Sequence, residues 1–125
     1  MEVSARILIV DDSGFSRRTL RRILERQGFT VEEADGGAEA LEKYAASKPD
    51  VVFLDVIMEG MEGLEVLGRL RKMDGKAKVV MATADTQKAT REEAFRAGAS
   101  AFVKKPFDSN EVLAVVPRVM QEGAE

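Results

Sequence analysis

Asp11, Asp12, Asp55, Thr83 and Lys105 are the residues of this 125-residue chain whose types could do chemistry together. Short apolar runs precede them: Ile7-Leu8-Ile9-Val10 before the acid pair, Val51-Val52-Phe53-Leu54 before Asp55, Val79-Val80-Met81-Ala82 before Thr83, and Ala101-Phe102-Val103 just ahead of Lys104-Lys105. Three carboxylates gathered at one place repel one another by several kcal/mol at low effective dielectric, so a cation belongs among them. The chain has no histidine and no cysteine, which excludes thiol nucleophiles, imidazole or thiolate zinc sites and the usual general base. The ion suited to what remains is a hard one, and Mg2+ prefers carboxylate, carbonyl, water and phosphate oxygens. A hydroxyl from Thr83 and an ammonium from Lys105 complete a phosphate site, the first as hydrogen-bond donor and the second as a point charge. Taken singly, each residue has a plainer role: Asp11 and Asp12 as turn acids capping a helix, Thr83 as a turn hydroxyl, Lys105 as a solvated surface charge. Their joint occurrence at the ends of apolar runs favours the chemistry.

Such residues reach one place if the runs are parallel strands. A short run of branched and aromatic side chains reads as a strand buried on both faces, and in an open parallel sheet ligands bind beyond the carboxyl ends of the strands. Between the runs the period changes. Phe15, Thr19, Leu20, Ile23 and Leu24 recur at helical spacing with Arg17, Arg18, Arg21, Arg22 and Arg26 between them, which gives an amphipathic helix with a basic outer face closed by Gly28. Thr30 to Ala34 is a weaker strand, Ala38, Leu41, Tyr44 and Ala45 mark a second helix that stops before Pro49, and Leu64, Leu67 and Leu70 mark a third. The segment from Gln87 to Ala97 is a shallowly packed helix stopped by Gly98. The last helix opens on a capping box, Asp108 with Glu111, and a staple between Phe107 and Val112. Five strands alternating with five helices over short connections mean a single α/β domain over residues 1–125, doubly wound about a parallel sheet.

Composition narrows the remaining possibilities. A chain of this length buries roughly two-thirds of its unfolded surface in one core and needs no metal or disulfide to fold. A net charge of −3 with mixed signs argues against nucleic-acid binding, which needs a concentrated basic surface. No apolar run is long enough to cross a bilayer and no leader is visible, so the expected location is the cytoplasm, away from membranes.

The pieces Val10-Asp11-Asp12-Ser13, Phe53-Leu54-Asp55, Gly60-Met61-Glu62-Gly63, Ala82-Thr83-Ala84, Gly98-Ala99 and Lys105-Pro106-Phe107 stand in an order and spacing that resembles the receiver domain of two-component response regulators. The resemblance covers nearly the whole chain. It implies that Asp55 accepts a phosphoryl group from a histidine kinase or phosphotransfer domain, with Mg2+ held by Asp11, Asp12, Asp55 and the Ile57 carbonyl. Thr83 and Lys105 would bind the phosphoryl oxygens, and the Lys105–Pro106 bond would be cis, a geometry whose cost is small only before proline. Phe102 matches the family's switch aromatic, which turns inward when the threonine moves toward phosphate; packing alone is its plainer role. In the family, phosphoryl lifetime is tuned two residues after the acceptor and two after the threonine, here Ile57 and Asp85. Strand order does not follow from periodicity, and the flavodoxin-like order 2-1-3-4-5 is taken from precedent, of which a chemotaxis receiver is a standing example.

The function expected is a stand-alone receiver of the chemotaxis or phosphorelay type. It is not an enzyme acting on another substrate but a phosphoacceptor that promotes its own phosphorylation and dephosphorylation. The chain ends about where a fifth helix should, so the expected output is contact with a target protein through the fourth helix, fifth strand and fifth helix. A monomer is expected, and this face is where a dimer would form. The first helix's arginines, Arg17, Arg18, Arg21 and Arg22, are expected in kinase docking. One rival is a receiver cut from a longer transcription factor. Another is an aspartate-nucleophile phosphatase of the haloacid-dehalogenase type, which needs a second acid where Ile57 stands. A third is a constitutive interaction module, against which the intact acidic set argues. Two departures from the family pattern stand out. Glu59 occupies a place usually held by proline, which predicts a freer loop with added negative charge. Pro117 interrupts the last helix, but the apolar stripe Val112, Val115, Val116, Val119 and Met120 continues past it, which predicts a kinked helix and not one that stops at Val116.

Overall fold

The computed structural model describes residues 5–84 and 87–122. Strands β1 (Arg6–Val10), β2 (Thr30–Ala34), β3 (Val51–Asp55), β4 (Val79–Thr83) and β5 (Ala101–Lys104) alternate with helices α1 (Gly14–Arg26), α2 (Gly37–Ser47), α3 (Gly63–Met73), α4 (Lys88–Arg96) and α5 (Ser109–Gln121). All strand pairs are parallel and their order is β2-β1-β3-β4-β5, as precedent suggested.

The two-residue period of the strands sorts the core into two layers. Leu8, Val10, Val52, Leu54, Val79 and Met81 face one side, against Ala40 and Tyr44 of α2, Val66, Leu67 and Leu70 of α3, and Ala94 of α4. Ile7, Ile9, Val51, Phe53, Val80 and Val103 face the other, against Leu20 and Leu24 of α1 and Val112, Val116 and Val119 of α5. Because β1, β3 and β4 are covered on both faces, their sequences are nearly all apolar. Polar groups stand at or just past their last residues, and Asp11, Asp55 and Thr83 are still buried there.

Several local expectations change in the structure. Phe15, which the helical spacing groups with the apolar face of α1, is 72% exposed. At about 100° per residue it lies roughly 140° around the helix from Leu20, away from the sheet. On α2 the buried residues are Gly37, Ala40 and Tyr44, with Ala38 and Ala45 exposed. On α3, Val66 is fully buried and Leu64 only partly so. α4 does pack shallowly, with Ala94 its buried residue. Asp108 caps α5, accepting from the Asn110 and Glu111 amides, but Glu111 does not reach back to complete a box. It accepts from the Lys104 amide at 3.3 Å instead, tying α5 to the end of β5.

α5 runs unbroken through Pro117 to Gln121, which rejects a stop at Val116. Val119 is fully buried beyond the proline, so the apolar stripe does continue; Met120, counted with it, is 39% exposed. Pro117 itself faces solvent.

Candidate functional site

The parallel sheet delivers its polar strand ends to one edge. Asp55 closes β3 in register with Ala82, Thr83 is the next residue of β4, and Thr83 pairs with Lys104, so Lys105 follows directly beside it. The Lys105 amide donates to the Thr83 carbonyl at 2.9 Å, extending the β4–β5 ladder past the strand's end. The Lys105–Pro106 bond is cis, as expected. On the other side Asp11 follows β1, its amide donating to the Ala34 carbonyl of β2 at 3.2 Å.

Asp11, Asp55 and Thr83 are buried, whereas Asp12 is exposed. Asp11, Asp12 and Asp55 each offer a carboxylate oxygen within 4.8 Å of the others. The Lys105 ammonium enters this group, 2.5 Å from Asp11 Oδ2 and 3.4 Å from Asp55 Oδ2. Burial pushes the Asp55 carboxyl from 3.8 up to about 6, and the Asp11 charge adds to the rise, while Lys105 and the Ile57 amide oppose it. The Ile57 amide lies 3.5 Å from Asp55 Oδ1, the Ser13 amide donates to Asp11 Oδ1 at 2.9 Å, and the Glu59 amide donates to Asp12 Oδ2 at 3.0 Å. All-oxygen donors, clustered and partly fixed by main-chain amides, fit a hard dication such as Mg2+. A lysine already drawn between two of the acids shows the demand for positive charge at this edge.

The loop after Asp55 is shaped by glycines whose role the motif alone does not reveal. A Cβ at Gly63 would lie 2.1 Å from the Asp55 carbonyl oxygen and 2.8 Å from Val56 Cα. α3 therefore starts directly against the backbone at the end of β3, and the Gly63 amide donates to the Val56 carbonyl at 2.9 Å. Gly60 turns the loop at φ +84, a conformation that glycine adopts at little cost. The Glu59 amide ties the loop to Asp12.

Phe102 sits half-buried on β5, its ring centroid 6.4 Å from that of Phe95 and 5.3 Å from the Arg91 guanidinium. It borders a groove of about 480 Å³ between α4, β5 and α5, lined also by Glu111, Val115 and Arg118. Ile57 is 62% exposed beside the site; Asp85, paired with it in the lifetime expectation, lies outside the described residues. The five arginines of α1 divide into two stripes. Arg17 and Arg21 pair with Glu33 of β2 at 2.9 and 2.5 Å, so the charge of each already has a partner within the fold. Arg18, Arg22 and Arg26 are exposed and, among the described residues, in no ion pair.

Comparison with known proteins agrees with this geometry. The model of the response regulator receiver domain matches residues 7–117. The chemotaxis protein CheY of Bacillus subtilis is 39% identical over 116 residues, which span 92% of this chain and 97% of that protein. CheY of Thermotoga maritima is 40% identical over 115 residues, 91% of this chain and 96% of the relative. Among solved structures, the chemotaxis protein CheY4 of Vibrio cholerae superposes with a TM-score of 0.89 at 32% identity, covering 94% of this chain and 99% of its own.

Proposed function

This chain belongs to the response regulator receiver domain family, whose members are phosphorylation-activated signalling switches, and from that premise we propose that Asp55 is the phosphoacceptor, with Asp11, Asp12, Asp55 and the Ile57 carbonyl as the ligands of Mg2+. The observation that carries this reading is the buried Asp55 carboxylate, within 4.8 Å of two further acids and 3.4 Å from a lysine ammonium.

The donor is a phosphohistidine on a histidine kinase or phosphotransfer domain. An Asp55 carboxylate oxygen attacks phosphorus, the phosphorus–nitrogen bond breaks, and the electron pair leaves with the imidazole, so that an acyl phosphate forms. Mg2+ held by Asp11, Asp12, Asp55 and the Ile57 carbonyl would supply positive charge against that of the acids and the phosphoryl group. Lys105 moves from the carboxylates onto a phosphoryl oxygen as a point charge, and the Thr83 hydroxyl donates to another. Burial keeps bulk water from the acceptor, and hydrolysis of the acyl phosphate is promoted by the same site. The new dianion need only bias two conformers that differ by a few kcal/mol. Thr83 and Phe102 carry that bias to the face of α4, β5 and α5, where a target protein binds. The chain acts as a monomeric cytoplasmic receiver domain over residues 1–125, with α4, β5 and α5 the face through which a dimer would form, and without direct contact with nucleic acid or membrane. The setting is chemotaxis, the role the CheY relatives are named for, or a phosphorelay.

Acetyl phosphate tests the assignment without any partner enzyme. With Mg2+ present, intact-mass spectrometry should show one labile phosphoryl group, absent in Asp55→Asn and prevented by chelation. Labelling that persists in Asp55→Asn would remove Asp55 from the role.

A further inference from the structure

Arg17 is joined to the site from behind. Its Nη1 donates to the Asp11 main-chain carbonyl at 2.6 Å, and its Nε donates to Glu33 Oε1 at 2.9 Å. Glu33 also accepts from Arg21 Nη1 at 2.5 Å, and Arg21 Nε donates to Glu25 Oε2 at 3.0 Å. The Arg21 hydrogen bond, and after it the one from Arg17, holds the Glu33 carboxyl below its ordinary range against the effect of burial. Three elements thus meet on one guanidinium: α1, which carries it, β2, which supplies Glu33, and the residue that follows β1.

Asp11 is engaged on every polar group. Its carboxylate takes Lys105 and the Ser13 amide, its own amide goes to Ala34, and its carbonyl takes Arg17. Repulsion among the three acids tends to spread the connection between β1 and α1, on which two of them ride. A charge-assisted hydrogen bond to the backbone of that connection opposes the spreading more strongly than a neutral one. Glu33 balances the arginine's charge, so the contact acts mainly through geometry.

We propose that Arg17, oriented by Glu33, is a positioning residue for the acidic trio: by holding the Asp11 carbonyl it fixes the Asp11 and Asp12 carboxylates in the arrangement that receives Mg2+. This inference rests on the reading of the trio as the Mg2+ site. Outer-shell partners of metal ligands typically contribute about 10- to 100-fold to affinity, and Arg17 acts one bond network further out, so a loss of about three- to tenfold is expected on its removal.

The test is calorimetric titration of Mg2+ into the unphosphorylated protein at pH 7.5, at a temperature where far-UV circular dichroism shows each variant folded. Arg17→Ala should weaken Mg2+ binding about three- to tenfold, and Arg17→Lys, which keeps the charge but cannot span both partners, should not restore it. Arg21→Ala removes a Glu33 partner of equal charge without touching Asp11, and should stay within about twofold of the parent. If Arg17→Ala does not fold, Glu33→Gln, which unlocks the guanidinium in place, is expected to weaken binding in the same direction. Equal weakening by Arg17→Ala and Arg21→Ala, unchanged affinity in Arg17→Ala, or full rescue by lysine each overturns the positioning role. A parent protein that takes up no Mg2+, or an Asp12→Asn variant that binds as well as the parent, instead overturns the metal reading on which it rests.

Discussion

Asp55→Asn should make the metal-free protein more stable at neutral pH. In the folded state the Asp55 carboxyl titrates at about 6, raised from 3.8 first by burial and then by the Asp11 charge, so ionising it costs more in the fold than in the unfolded chain. Below pH 3.8 the group is protonated in both states and imposes no penalty. As pH rises toward 6 the unfolded chain ionises first and stability falls, and above 6 the penalty is constant at no more than about 3 kcal/mol. The amide variant should therefore be more stable by up to about 3 kcal/mol at pH 7.5 and by about 1 kcal/mol at pH 4.5. Since the chain has no tryptophan, urea unfolding is best followed by far-UV circular dichroism, in chelator and again in excess Mg2+. Mg2+ should close much of the gap by stabilising the parent through binding. A variant no more stable than the parent at pH 7.5, or one whose advantage is the same at both pH values, refutes the reasoning.

Gly63→Ala should destabilise the fold by several kcal/mol and abolish acetyl phosphate labelling, because its Cβ meets the Asp55 carbonyl oxygen at 2.1 Å and rigid backbone must move; denaturant midpoints unchanged from the parent would show that α3 yields freely. Pro117→Ala restores an amide inside a continuous helix, where proline costs about 3 kcal/mol, and gives back up to about 1 kcal/mol through a freer unfolded chain, so a net gain of about 2 kcal/mol is expected in urea unfolding. No gain would mean that α5 accommodates the ring without strain. Ile57→Asn should shorten the phosphoryl lifetime, since an exposed apolar side chain cannot orient an attacking water whereas an amide can; equal decay of the two phosphorylated proteins, followed by mass spectrometry, would reject this.

The strands and the site were legible for the same reason. Runs such as Val51 to Leu54 are apolar because both faces are covered, and an acid that follows such a run marks the carboxyl end of a strand. The polar groups at strand ends therefore assemble in one place once parallel alternation is recognised. What was not legible depends on distances across the fold. Five arginines on one helix announce a charge but not a partner, and Glu33, which engages Arg17 and Arg21, lies on a separate strand. Glu111 stands three residues after Asp108, as a capping box requires, yet the Lys104 amide is the donor it meets. The crowding at Gly63 likewise exists only when α3 is laid against β3.

Glu59 carries the comparison with the family one step further. A proline at that place fixes the backbone but has no amide hydrogen to give. Here the Glu59 amide donates to Asp12 Oδ2, so the exchange replaces a constraint internal to the loop with a bond between the loop and the acidic site. Asp12 is the exposed member of the trio, the one to which burial gives least restraint. Its carboxylate is held from the β3–α3 side by Glu59, while Arg17 holds its neighbour's backbone from the α1–β2 side. The two contacts lie on opposite flanks of the connection that carries the acid pair. Orientation of the pair is therefore shared between a main-chain amide and a guanidinium, neither of which is itself a ligand, and the loop's lost rigidity is offset where the chemistry needs it.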